Sequence, residues 1–291
     1  MAEVAIIGAG VAGLTAATYL GRFRRAAVVF DGGLPRARLI PESHNTPGFP
    51  QGIGGPQLLS RLRAQAERYG ARILPARAQH LLGVEAGFEV RSDSASVTAR
   101  FVILASGILD CVPAIEGIEE AIERGVARLC PVCDAYEAID KRIAVLANEQ
   151  GEHQARFLRR YSSQVEMFHM RRHGRPLRAD NHSAEVSEVT ADQIELRSDG
   201  VTIRLPNQSA RTFDCLYLAL GCDPQSRLAR DLGARVDESD DLIVSAHQET
   251  SISGLFAAGD VVRGLNQIAV ACGEAAIAAT AIHNRLDSDA S

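Results

Sequence analysis

The sequence predicts an α/β fold of two three-layer domains, the second inserted into the first. Three observations carry that reading. Residues 3–13, Glu-Val-Ala-Ile-Ile-Gly-Ala-Gly-Val-Ala-Gly, are an apolar strand that runs into a glycine turn. Residues 141–152, Lys-Arg-Ile-Ala-Val-Leu-Ala-Asn-Glu-Gln-Gly-Glu, repeat the strand without the turn. Aromatic content is 5 % and Trp is absent, which suits an Ala/Gly/Leu-rich α/β chain better than a β-sandwich.

The elements follow in order. Residues 3–7 are a buried strand, and 11–23 carry apolar positions at helical spacing (Val11, Leu14, Ala17, Leu20). A second apolar strand at 26–30 ends at Asp31, completing a β-α-β unit within about 30 residues. Gly- and Pro-rich 32–56 reads as an ordered loop, 57–69 as a helix, and 72–105 as short strands closing on Phe101-Val-Ile-Leu-Ala105. A second unit begins near 113: strand 142–147, a helix at about 151–161, strand 164–168, strand-like pieces over 184–204, and apolar strand 214–220. From about 223 the chain returns to the first domain, with strand-like 242–245 and 255–258 and an Ala-rich helix over 266–285, fraying after Leu286. The predicted architecture is thus two Rossmann-like domains, one of residues 1–112 and 223–291, the other of 113–222.

Bulk composition narrows the function. Hydrophobic residues make 46 % of the 291 and charged residues 23 %, as in ordinary globular proteins. The net charge of −5 disfavours a nucleic-acid partner. The sequence has no apolar run of the length a membrane span needs. The first strand starts beside Met1, so no leader is expected. Six cysteines, with only 130 and 133 close together, are no secreted disulfide framework. The expectation is a cytoplasmic protein with one reactive pair, the other four cysteines (111, 215, 222, 272) being small buried hydrophobes.

The first glycine turn has the context of a dinucleotide site. Gly8 permits the tight turn, Gly10 lets backbone approach a pyrophosphate, and Gly13 lets helix and strand pack closely, with Ala12 between them. The helix start offers N–H groups and partial positive charge to phosphates. Asp31 stands 23 positions after Gly8, where a carboxylate can hold a ribose hydroxyl. Near the other chain end, Gly254-Leu-Phe-Ala-Ala-Gly259-Asp260 brings a carboxylate to the carboxyl end of a sheet, able to hold a ribityl chain or to cap a helix. Ala105-Ser106-Gly107 follows strand 101–105 as a further turn of this kind.

Cys130-Pro131-Val132-Cys133-Asp134 admits three readings. Structural zinc needs four ligands, and no partner pair is visible nearby; the metal prediction is none. Chance pairing of buried cysteines is the second. The third is a redox pair, in which a thiolate attacks a disulfide and its neighbour resolves the mixed disulfide, with Asp134 carrying a proton. His169 and His173, four apart across a strand end and a basic loop, are not read as a metal site.

Taken in order, Gly8-x-Gly10-x-x-Gly13, Ser43-His-Asn45-Thr-Pro-Gly-Phe49, Ala105-Ser-Gly107, the Cys pair with Asp134, Ala219-Leu-Gly221 and Gly259-Asp260 followed by Gln267-Ile268-Ala269 resemble the low-molecular-weight thioredoxin reductase family. The resemblance covers nearly the whole chain. It implies FAD bound by a domain of both chain ends, a central domain carrying the cysteines, and a homodimer. It implies that Cys133 faces the flavin as charge-transfer thiol, that Cys130 is the interchange thiol, and that Asp134 is the acid/base. Asn45, Asp260, Gln267 and Ile268 would line the flavin.

One departure stands out. The family's central domain carries its own glycine fingerprint for NADPH. Here the three key positions are Ala147, Glu149 and Glu152, which remove the free turn and set carboxylates where a diphosphate would lie, while Gly151 is out of register. NADPH is therefore disfavoured. The basic run Arg171-Arg-His-Gly-Arg175 reads as a relic of a 2′-phosphate site or, more simply, as a solvated loop. The resulting expectation is an FAD-dependent thiol/disulfide oxidoreductase acting on a thioredoxin-like protein or a small disulfide. Its electrons would come from ferredoxin or from a second flavin in the remodelled central pocket. The alternative is a dithiol oxidase passing electrons from a small dithiol to O₂. An Asp after the second Cys favours the first.

Overall fold

The alternation of short apolar strand and helix folds into parallel sheets, as buried strands on both sides of a helical crossover require. A computed structural model describes residues 2–148, 151–170, 187–205 and 207–288. In chain order, β1 (Ala2–Ile7), α1 (Val11–Arg22) and β2 (Ala27–Phe30) open the fold. They are followed by α2 (Gly55–Arg68), β3 (Arg72–Leu74), β4 (His80–Val84), β5 (Gly87–Arg91), β6 (Ser96–Leu104) and β7 (Ile108–Asp110). The middle of the chain forms α3 (Ile118–Glu123), β8 (Ala127–Arg128), α4 (Pro131–Asp134), β9 (Ile143–Ala147), α5 (Glu152–Leu158), β10 (Val165–Met170) and β11 (Ser187–Val189). It continues as β12 (Ile194–Leu196), β13 (Val201–Arg204), β14 (Ala210–Phe213), β15 (Cys215–Ala219) and β16 (Cys222–Pro224). The last stretch is α6 (Arg227–Arg230), β17 (Leu255–Ala257) and α7 (Ile268–Ser288).

Two compact units result: Met1–Arg38, Thr46–Leu109 and Asp223–Ser291 form one, Leu39–Asn45 and Asp110–Cys222 the other. The short segment Leu39–Asn45 joins the central unit because Leu39 packs against that unit's core and Pro41 lies beside Gly125.

In the first unit the strands run β3-β2-β1-β6-β5-β4. β1, β2, β3 and β6 are parallel, while β5 and β4 return antiparallel. β6 pairs with β1 along one edge and is long enough to take two partners along the other: its first half pairs with β5 (Phe88↔Ala99), its second with β17 (Phe256↔Ile103). The carboxyl ends of β1, β6 and β17 therefore meet, and the motif residues follow each of them.

In the central unit a parallel sheet runs β11-β10-β9-β15-β8, and β12, β13 and β14 form a separate antiparallel sheet. Side chains alternate across the parallel sheet. Ala144, Leu146, Leu216 and Leu218 face a core with Ile118, Ile122 and Phe213. Ile143, Val145, Cys215 and Tyr217 face Ala135 and Ala138 after α4, and Ala155 and Leu158 on α5. That second face seats the cysteine segment.

Some boundaries differ from the sequence reading. Apolar 242–245 forms no strand; Leu242 makes only isolated bridges, to Val236 and Val262, because the chain turns again at Ser245–Gln248. α7 runs on to Ser288 instead of fraying after Leu286. α5 ends at Leu158, with Tyr161 N–H folding back onto the Leu158 carbonyl in a turn.

Candidate active site

The first glycine turn sits at the carboxyl end of β1. Gly8 has φ +111°, and a Cβ there would lie 2.8 Å from the Ala105 carbonyl carbon, inside contact distance. A Cβ on Gly13 would overlap the Gly8 carbonyl oxygen. Gly10 differs: its backbone is extended (φ −79°, ψ −168°), and a Cβ would meet nothing nearer than Pro35 Cβ at 3.8 Å. Gly8 and Gly13 are glycines because protein is in the way. Gly10 leaves open the approach to the first N–H groups of α1, which have no intrahelical acceptor. The Asp31 carboxylate accepts from Gly33 N–H at 2.9 Å and pairs with Arg63.

The C-terminal motif closes on the same turn. Gly259 has φ +81°, and a Cβ would lie 2.9 Å from Ala12 Cβ. Its N–H donates to Glu274 Oε2 of α7 at 2.7 Å. Burial pushes the Glu274 carboxyl up, against the pull of that N–H. Asp260 Oδ2 lies 3.3 Å from Arg36 Nη1. Ala105 N–H donates to the Ile7 carbonyl (2.8 Å) and Ala258 N–H to Leu104 (3.1 Å), which locks the turns after β1, β6 and β17 together. Gly107 has φ +67°, and its carbonyl accepts from Gln225 N–H at 2.9 Å. Gln267 immediately precedes α7 and its carbonyl accepts the Ala271 N–H at 2.9 Å; Ile268 is the first residue of that helix. Asn45 belongs to the central unit, where its Nδ2 lies 3.5 Å from the Val132 carbonyl.

In the central unit Cys130 and Cys133 form a disulfide, with Cα atoms 5.3 Å apart. Pro131 opens α4 with its φ already helical, and Cys133 N–H donates to the Cys130 carbonyl at 3.0 Å. Asp134 ends the turn, and its side chain is half-buried, 27 % exposed. Tyr217 hydroxyl donates to Asp134 Oδ1 at 2.8 Å, and Arg128 Nη1 lies 3.7 Å from Oδ2. Burial pushes the Asp134 carboxyl up to about 6, with Arg128 and the Tyr217 hydrogen bond pulling the other way. The same burial raises the Tyr217 phenol, and Cys215, deeper in the core, is pushed up to about 11.

The second glycine turn is rebuilt. After Gly8 helix α1 begins three residues on, whereas after Ala147 helix α5 begins five residues on, with Gly151 as its N-cap. Asn148 N–H continues the ladder to Ala219 (3.2 Å) and its Nδ2 donates to the Leu220 carbonyl at 2.9 Å. A Cβ on Gly151 would lie 3.1 Å from Ala147 Cα and overlap Ala147 Cβ. Gly151 therefore serves the close helix–strand contact while standing outside the fingerprint spacing. Glu149 and the run 171–175, with His173, lie outside the described residues.

A family model described as pyridine nucleotide-disulphide oxidoreductase matches residues 2–275. The chain belongs to that family. Thioredoxin reductase of Streptomyces coelicolor is 31 % identical over 89 % of this chain and 86 % of its own length. NADPH-dependent thioredoxin reductase 3 of Arabidopsis thaliana is 30 % identical over 99 % of the chain, but the chain spans only 59 % of that relative. The crystal structure of thioredoxin reductase from Streptococcus pyogenes MGAS5005 superposes with a TM-score of 0.86 at 26 % identity, covering 99 % of both chains.

This member of the pyridine nucleotide-disulphide oxidoreductase family is a thioredoxin reductase-like, flavin-dependent disulfide oxidoreductase with Rossmann-like sheets. The family implies FAD, and the first turn fits it: the Gly10 approach is open, and acidic Asp31 and Asp260 follow β2 and β17. Glu274, Arg36, Arg128 and Tyr217 were not singled out in the sequence, since none sits in a motif. Of the scattered cysteines only Cys215 is fully buried; Cys222 is exposed, and Cys111 and Cys272 are intermediate, so the expectation of four buried hydrophobes is corrected. Cys111 and Cys222 flank the chain's passages between units, where side chains have less core to enter. Among the described residues no group of three or more His, Cys, Asp or Glu is placed to hold a metal ion, and no helix is long and apolar enough to cross a membrane.

Proposed function

We propose that this chain exchanges electrons between FAD and the Cys130–Cys133 pair, and then with a thioredoxin-like protein or a small disulfide, without drawing them from NADPH. When bound and reduced by the donor, the flavin would supply the electron pair that opens the disulfide. The residues of the chain do the rest. Cys130 thiolate attacks a substrate disulfide, one substrate sulfur leaves and takes a proton from Asp134, and a mixed disulfide forms. Cys133 then loses its proton to Asp134 and attacks Cys130. The second substrate sulfur departs, takes that proton from Asp134, and the Cys130–Cys133 bond is restored. Two electrons and two protons pass to the substrate.

The observation that carries the NADPH reading is the turn after β9. The late start of α5 and the bond from the Asn148 amide to the Leu220 carbonyl support it, since both depart from the turn after β1. The Arabidopsis relative is named for NADPH, and the proposal places this chain's difference in its own turn after β9. Ferredoxin, or a second flavin held by the central unit, remains the proposed donor, and a cytoplasmic homodimer the proposed form. Asp134 beside Cys133 favours the reductive direction over a dithiol oxidase.

Anaerobic titration with NADPH and then NADH, following the flavin absorbance band, tests this. The flavin is expected to stay oxidised with both and to bleach with dithionite. Rapid stoichiometric bleaching by NADPH refutes it.

A further inference from the structure

A four-residue helix cannot hold itself in place, since nucleation alone is unfavourable and α4 has barely one turn. What fixes it is its last carbonyl. Asp134 C=O accepts from Arg128 Nη1 at 2.8 Å, and the Tyr217 hydroxyl, whose one proton it shares with the carboxylate, lies 3.1 Å away. Arg128 is pinned from behind, its Nε donating to the Gly125 carbonyl at 2.9 Å. Tyr217 stands fully buried on β15, which pairs with both β9 and β8. Arg128 Nη1 also lies 3.4 Å from the Tyr217 oxygen, and its guanidinium carbon 5.8 Å from the ring centroid. The same two side chains thus hold both the backbone and the carboxylate of Asp134.

We propose that Tyr217 and Arg128 are positioning residues that fix the Asp134 carboxylate beside the Cys130–Cys133 turn and set the pH at which it gives up its proton. This rests on Asp134 being the acid/base of the exchange. The groups facing Asp134 are Arg128 on β8, Tyr217 and Cys215 on β15, and Glu137 and Lys141 in the segment after α4. Among them Tyr217 and Arg128 are the ones that favour its ionised form through direct geometry, with Lys141 adding a weaker charge effect. Burial alone would keep the proton on too firmly; the pair returns the carboxyl to a range in which it both donates and accepts near neutral pH. Tyr217 supplies a hydrogen bond with no charge, and Arg128 a charge held just beyond hydrogen-bond distance of the carboxylate.

The test uses the FAD-loaded full chain, reduced with dithionite and mixed with hydroxyethyl disulfide across pH 5–9. Asp134 is followed in parallel by carbon-13 NMR of labelled aspartate, its signal assigned by its loss in Asp134→Asn. Tyr217→Phe keeps the buried ring and removes the hydroxyl. It is expected to move both the carboxyl titration and the acid-dependent limb of the exchange rate upward by about one pH unit, a tenfold change in the protonation ratio. Arg128→Gln is expected to move both in the same direction and serves if the Tyr217 variant misfolds. If Asp134→Asn removes the limb but neither variant shifts it, the positioning proposal is overturned while the acid/base reading stands. If Asp134→Asn leaves limb and rate intact, the acid/base reading itself fails.

Discussion

Gly10 and Gly13 are both glycines of one turn, yet the structure assigns them different reasons, and substituting alanine separates these. At Gly13 a Cβ would overlap the Gly8 carbonyl oxygen and stand 3.0 Å from its carbon. Both atoms are backbone, held by the Gly8 N–H bond to Phe30 O, so neither can swing aside. Overpacking of this kind costs about 1–3 kcal/mol, and a backbone clash belongs at the upper end. At Gly10 the nearest atom would be 3.8 Å away and the backbone is already extended. The poorer N-cap and the stiffer unfolded chain roughly cancel, leaving stability within ~1 kcal/mol of the parent. The new methyl instead stands before the N–H groups that a diphosphate must reach. Losing one hydrogen bond to a charged group is worth about 1.5–3 kcal/mol, or roughly 10- to 150-fold in Kd. Urea unfolding of the flavin-free protein and fluorescence titration with FAD read the two quantities. Gly13→Ala should lose stability; Gly10→Ala should keep stability and lose affinity. Unchanged FAD affinity in Gly10→Ala would refute the placement of the diphosphate on this turn.

Other outcomes follow from the central unit. Cys130→Ser and Cys133→Ser should each abolish disulfide turnover while leaving stability within ~1 kcal/mol of the reduced parent, because serine is close to cysteine in size and both positions are half-buried; an active single mutant would displace the pair from the chemistry. Asp134 sits raised from the ordinary 3.8 to about 6, so its contribution favours folding at low pH and is lost as pH rises through about 6. Asp134→Asn should therefore be more stable than the parent at pH 8, by ~1–3 kcal/mol, and no more stable at pH 4; urea curves at the two pH values that show no such difference would contradict the buried carboxylate. Gly151→Ala should destabilise by about 1–3 kcal/mol through its overlap with Ala147 Cβ, whereas a glycine that was only a relic would tolerate the methyl.

Much of the fold was legible because burial writes itself into short runs. Ile143–Ala147 and Cys215–Ala219 are apolar at every position, since both faces of a parallel strand are covered, and such a run needs no further context to be read. Segment 242–245 looks similar but fails, because an apolar run says that side chains are buried and not that backbone is paired. Leu242 is buried in the first unit's core while its backbone makes only bridges. The glycine turns, the Cys pair and Asp134 were legible because each has a fixed spacing. Glu274 and Tyr217 were not: they reach the site from 15 and 83 positions away, and sequence carries no mark of which buried tyrosine will find which carboxylate.

The two turns together show why a motif that is missing is harder to read than one that is present. At Gly8–Gly13 each glycine answers a separate demand, so the pattern is over-determined. After β9 the pattern is gone, but one demand survives: α5 must still pack on the sheet, and the residue that permits it is Gly151, one place before the expected position and at the helix N-cap rather than inside the first turn. Packing is kept by Gly151, while the Asn148 amide bonds to the Leu220 carbonyl at 2.9 Å across the strand end. A sequence that had merely drifted would lose both. On the proposed reading, a turn that no longer holds a phosphate still keeps the glycine that the core needs. If Asn148→Gly, which removes that amide, leaves the flavin as unreactive to NADPH as in the parent while stability falls by about 1 kcal/mol, the amide is a structural closure and the lost cradle lies in the backbone path itself. If the variant gains NADPH-driven flavin bleaching, the side chain alone was the gate.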